Sequence, residues 1–212
     1  MNENRNRQAV VLLHGLWTNG LVMQYLARKL AAEGYAPCSI NYPSMRGRMD
    51  EHVALIARRI AAIESERIHL VGHSLGGVVA LRYLQGDPDG RIGRAVLLGA
   101  PVTGSQAALK LARSAPGRLL LGRSLSLWRG AFDTALDSGR EVGAIAGTRP
   151  FGLGRVVVPL SAPGDGVVLV DETRLPGLAD HLALPVSHTG MLISGRVARQ
   201  VAAFLARGRF ER

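Results

Sequence analysis

Residues 70–77 read LVGHSLGG and place a serine, Ser74, between two glycines, Gly72 and Gly76, each two positions away. An apolar run, Ile68 to Val71, ends just before it, and Val78, Val79, Leu81, Tyr83 and Leu84 follow with helical spacing. A strand must therefore become a helix within a few residues. In so sharp a turn the serine is forced into a strained backbone conformation, and the glycines let neighbouring segments pass without a Cβ collision. Its Oγ would stand clear of the sheet at a helix N-terminus, where developing negative charge is favoured. The same residues could make no more than a capped helix start; the strand-turn-helix context favours a nucleophile.

A serine hydroxyl attacks well near neutral pH only when a neighbour takes its proton. Of the six histidines, His188 in PVSHTGM is best placed, directly after the last apolar run. His69 lies within a strand segment and His52 on a helix. His181 opens a strand at the wrong end, and His73, beside the serine, is expected to point elsewhere. The base needs a carboxylate to hold its tautomer. Asp165 in SAPGDGVVLV precedes His188 and lies in an Asp-Gly turn near a strand end, which favours it over Asp171 and Asp180, each of which could as well be a cap or a solvated turn residue. An attacked carbonyl would leave an oxyanion that needs positioned N–H donors. The backbone N–H of Leu75 is one candidate. The loop LLHGLWTNG offers a second, Leu16, with Gly15 making the turn, Trp17 as a wall of the substrate pocket and His14 as an anchor to a neighbouring carbonyl.

These residues must be held by a scaffold, and the patterning supplies one. Apolar runs at 9–13, 37–40, 68–71, 95–98, 142–146 and 181–186 are expected strands. Helical patterns fall between them at 21–32, with Leu21, Tyr25, Leu26 and Leu30 on one face, and at 51–63, with Val53, Ile56, Ala57 and Ile60; a last one covers 195–206. Strand and helix alternate, so the fold class is α/β: a mostly parallel sheet of about six strands with helices on both faces, in a single domain spanning 1–212. In such sheets ligands gather outside the carboxyl ends of the strands, where every candidate above lies. Between 101 and 141 the pattern is irregular. Leucines, Trp128 and Phe132 are interspersed there with Lys110, Arg113, Arg118, Arg123 and Arg129, so 107–132 is expected either to cover the pocket as a cap and meet an anionic membrane surface, or simply to bury its leucines against the sheet with the arginines solvated.

Composition narrows the classes further. The chain of 212 residues carries 26 Lys+Arg against 16 Asp+Glu, a net charge of +10, yet has no dense basic run interleaved with aromatics, so no nucleic acid partner is expected. Cys38 is the single cysteine, which excludes an internal disulfide and a cysteine zinc site; its apolar surroundings point to the core. The N-terminal apolar run is too short for a signal core or a membrane span, so the expected location is cytoplasmic. No metal or other cofactor is expected.

Taken together, VVLLHGLWTNG, IHLVGHSLGG, PGDGVV and LPVSHTGML resemble the α/β-hydrolase superfamily, specifically its lipase and esterase branch. A closer likeness, through AIAGT followed by the D-G-V-V loop, is to bacterial lipase-like proteins related to GPI inositol deacylase. The resemblance implies a minimal hydrolase sheet with Ser74 as nucleophile, Asp165 as acid and His188 as base. It implies a serine hydrolase of small-molecule or lipid carboxylic esters acting through an acyl-enzyme. The competing expectation is a non-catalytic binding or lipid-surface protein on the same fold.

Overall fold

The computed structural model describes residues 8–86, 88–121, 139–151 and 163–212. Strands β1 (Gln8–Leu13), β2 (Ala36–Ile40), β3 (Arg67–His73), β4 (Ile92–Leu98), β5 (Val142–Gly147) and β6 (Asp180–Leu184) form one sheet in the order β2-β1-β3-β4-β5-β6, with every neighbouring pair parallel. The chain steps outward from β1 to β2, then crosses back to lay β3 on the other side of β1. The order therefore reverses between β1 and β3, where a doubly wound sheet opens a crevice at its carboxyl edge.

Alternation along the strands builds two cores. Ala9, Val11 and Leu13 of β1, with Leu70, Leu97 and Ala144, face α2 (Met49–Ala61) and α3 (Leu75–Gln85). Val10, Leu12, Val71, Val96, Leu98 and Ile145 face the other way, onto α1 (Gln24–Ala32) and the last helix, α6 (Gly195–Arg207). Because both faces are covered, the central strands are mostly apolar, with His69 of β3 and Arg94 of β4 as exceptions, which is why they read as apolar runs. α6 starts with the Ser194 side chain accepting from the Val197 N–H and stops at Gly208 in the left-handed conformation, a strong stop signal.

Two expectations fail at the sheet margin. Cys38 is exposed, because β2 is an edge strand whose alternate side chains Ala36 and Cys38 escape helix cover. Leu21 is exposed as well. The segment Gly20–Met23 is a tighter 3₁₀ turn, so helical spacing begins only at Gln24 and Met23 takes the inward position. Of the irregular stretch after β4, α4 (Gln106–Leu111) and α5 (Ala115–Leu121) are described; they bury Ala108 and Leu121 against the α2/α3 core. The expected cap, 107–132, runs on beyond residue 121, so Arg123, Trp128, Arg129 and Phe132, on which the membrane-surface expectation largely rests, lie outside the described residues. Among the described residues no helix is long and apolar enough to cross a membrane.

Candidate active site

The turn from β3 into α3 has the geometry its sequence demands. Ser74 adopts φ 54°, ψ −121°, and apart from glycines only Trp17 shares a positive φ among the described residues. Such a conformation costs of order 1–3 kcal/mol and persists only where the surroundings enforce it. The Ser74 N–H is tied to the carbonyl of Leu98 at 2.9 Å, fixing the turn to β4. Close approach explains the flanking glycines: a Cβ on Gly72 would lie 2.4 Å from the Gly76 carbonyl oxygen, and one on Gly76 only 2.2 Å from that of Leu13. The elbow is thus wedged against the end of β1, and the loop carrying Leu16 leaves the sheet beside it, Leu13 pairing with Gly72.

That loop is braced from behind. His14 is fully buried and its Nδ1–H donates to the Gly15 carbonyl at 2.9 Å, while Nε2 accepts from the Tyr42 N–H at 3.4 Å. Tyr42 stacks on the His14 ring, and its hydroxyl donates to the His14 carbonyl at 2.5 Å. His14 is therefore an anchor, as its place in the loop implied. Burial holds its pKa below the ordinary imidazole value and pushes the Tyr42 phenol upward. Leu75 is the first residue of α3, so its N–H has no intrahelical acceptor. The indole of Trp17, next to Leu16, is half exposed.

On the far side of the elbow the loops after β5 and β6 meet. His188 Nδ1–H donates to Asp165 Oδ2 at 2.7 Å, and both residues are buried. The other carboxylate oxygen, Oδ1, accepts the N–H groups of Val167 (2.9 Å) and Val168 (2.7 Å). Asp165 is thus fully hydrogen-bonded, as a buried charge must be. Its turn is closed by Gly166 at φ 100°. The competing carboxylates go elsewhere: Asp171 sits at the surface 3.7 Å from Arg174, and Asp180 opens β6 at the opposite sheet edge, bonding the Phe210 N–H and Arg212.

Two residues enter that sequence reasoning did not foresee. The ring of His73 does not turn away; it lies against the His188 ring, centroids 4.6 Å apart, and its Nε2–H donates to the His188 carbonyl at 3.0 Å. Burial lowers its pKa to about 3, so it is neutral. Glu172 is buried between the loop that carries Asp165 and the start of α4. One carboxylate oxygen accepts the Gln106 N–H at 2.6 Å and the other the Leu169 N–H at 2.8 Å. Burial raises the Glu172 pKa, and no pattern around it in the chain signals the clamp.

Ser74, the Asp165–His188 pair, and the loops bearing Leu16 and Leu75 thus share one sheet edge, and the model of the alpha/beta hydrolase family matches residues 10–208. The chain belongs to the alpha/beta hydrolase family. The chain is similar over 85 residues, at 34% identity, to the pimeloyl-[acyl-carrier protein] methyl ester esterase of Aeromonas salmonicida (strain A449), and at 33% to that of Aeromonas hydrophila subsp. hydrophila. The match spans 38% of this chain and about a third of the length of those relatives. Among solved structures, the fold is like that of Bacillus licheniformis lipase BlEst2 in mature form, with a TM-score of 0.75 at 20% identity over 97% of this chain and 93% of that one. It is also like the metagenomic carboxyl esterase MGS0156, with a TM-score of 0.68 at 19% identity over 86% and 65%.

Proposed function

We propose that this hydrolase cleaves carboxylic esters through an acyl-enzyme on Ser74, with His188 as base and Asp165 as its orienting carboxylate. The observation that carries the reading is the buried 2.7 Å contact between His188 Nδ1 and Asp165 Oδ2 at the edge that bears the strained Ser74. A carboxylate only accepts, so the neutral imidazole keeps its proton on Nδ1 and offers a lone pair at Nε2. Ser74 Oγ attacks the ester carbonyl as His188 Nε2 takes its proton. The oxyanion is met by the N–H groups of Leu16 and Leu75, and Trp17 lines the approach. His188 returns the proton to the departing alkoxide, and a water activated at the same nitrogen releases the acid. The curated relatives, whose names are those of ester hydrolases, are in keeping with this chemistry.

A non-catalytic role on the same fold would leave a hydrogen-bonded Asp–His pair and a strained serine without use. Covalent labelling by a fluorophosphonate separates the two. Wild-type protein should label and hydrolyse short p-nitrophenyl esters, and Ser74→Ala, which alters little packing, should do neither. A Ser74→Ala enzyme that keeps hydrolysis within a few-fold of wild type would defeat the mechanism.

A further inference from the structure

We propose that His73 is a positioning residue: it locks the base His188 to the nucleophile elbow, as a neutral hydrogen-bond donor. The inference rests on the reading of Ser74 and His188 given above and adds a part that the triad does not contain.

His188 has four polar atoms, and three are tied. Its N–H donates to the Asp165 carbonyl at 3.0 Å, its Nδ1–H to Asp165 Oδ2 at 2.7 Å, and its carbonyl accepts from His73 Nε2 at 3.0 Å. Among the described residues only Nε2, the atom that must exchange protons with Ser74, is left over. Asp165 supplies two of the three ties, but it belongs to the loop after β5. The tie from His73 is the one that comes from the elbow itself, one residue before the nucleophile. The spacing between nucleophile and base is thereby set through a single ring and one hydrogen bond. The same ring lies beside the His188 imidazole, 4.6 Å between centroids and tilted by 48°, and limits its rotation.

The chemistry of the donor is specific. A carbonyl can only accept, so His73 carries its proton on Nε2. Its Nδ1 is buried and meets no partner among the described residues, wedged where a Cβ on Gly15 would lie 3.2 Å away. The titratable neighbours acting on His73 are His188, Asp165 and His14, and its own burial outweighs them in keeping it uncharged. A lysine or arginine could also donate to that carbonyl, but a fixed positive charge against the His188 ring would oppose formation of the imidazolium on which the reaction depends. A neutral imidazole donates without that penalty.

The test uses His73→Leu, which removes the donor, and His73→Gln, whose amide restores one. Turnover of a short p-nitrophenyl ester is measured across pH, per folded molecule as judged by near-ultraviolet circular dichroism. The expected result for His73→Leu is a kcat about 100-fold lower, the scale of a misplacement near 1 Å, with KM within a few-fold of wild type. The acidic limb of kcat should move to lower pH as the His188–Asp165 contact loosens and stabilises the imidazolium less, and His73→Gln should recover most of both. Should the leucine variant fail to fold, His73→Asn, too short to reach the carbonyl, takes its place. A kcat within threefold of wild type, or a fall in kcat with the limb unmoved, would overturn the proposal. Full hydrolysis by Ser74→Ala would instead overturn the esterase reading, whatever the His73 variants do.

Discussion

Replacing Gly76 by alanine tests whether the wedge between elbow and β1 is a true constraint. The new methyl would stand 2.2 Å from the Leu13 carbonyl oxygen and 2.6 Å from that of His14, where ordinary contact begins at 3.4 Å. About 1.2 Å must therefore be found by moving backbone. Neither neighbour yields readily, since Leu13 is paired to both β2 and β3 and the His14 carbonyl is gripped by the Tyr42 hydroxyl. Overpacking of this kind costs about 1–3 kcal/mol or more, and a site walled by backbone belongs at the upper end. Alanine's better helix propensity returns at most about 1 kcal/mol. The expected net loss is about 2 kcal/mol, or roughly 4–8 °C in Tm for a chain of this size. Any relief also separates Ser74 from the loop bearing Leu16, so ester hydrolysis should fall about 100-fold. Gly90→Ala, where a Cβ would meet nothing within 4 Å, is the control and should be neutral or slightly stabilising. Urea unfolding and steady-state rates measured on both variants decide the matter. A Gly76→Ala protein with wild-type midpoint and activity would show that the close approach is not a constraint.

Asp165→Asn should lower kcat by roughly 10⁴-fold, the cost of a wrongly held tautomer in a comparable triad, while Asp171→Asn and Asp180→Asn stay near wild type; equal effects at all three would refute the assignment of the acid. Stability should fall in acid. His73 and His69, with pKa values lowered by burial to about 3 and about 4, are neutral when folded but take up protons near pH 6.5 once unfolded. Their stabilising share is complete above about pH 6.5 and shrinks as pH drops toward the folded values, at up to about 1.4 kcal/mol per pH unit for each. Urea midpoints that agree at pH 7.5 and pH 5 would contradict this.

The central strands were legible because they are buried on two faces and so carry mostly apolar runs, and their alternation with helices implied the parallel order. Asp165 could be singled out because its Asp-Gly turn is a local signal, and Gly166 does adopt a positive φ. What the chain concealed was set by tertiary neighbours. Nothing near Cys38 in the sequence shows that β2 stands at an edge. The contact between His73 and His188 joins residues 115 apart, and the Glu172 clamp reaches back 66 residues to Gln106. α4 and α5 are six and seven residues long, too short to display a period.

The distance between His73 and His188 along the chain also has a meaning in time. During synthesis the elbow can form once β1, β3 and β4 have emerged, but the ring that closes on His73 belongs to a segment made 115 residues later. On the proposed mechanism, the nascent protein would carry a finished serine turn with no base to deprotonate it until β6 has joined the sheet. Parallel strands pair slowly because each pairing must first close a long loop. On that mechanism the chain would stay chemically silent through most of its own assembly, and hydrolytic competence would arrive only with β6 and the loop that follows it.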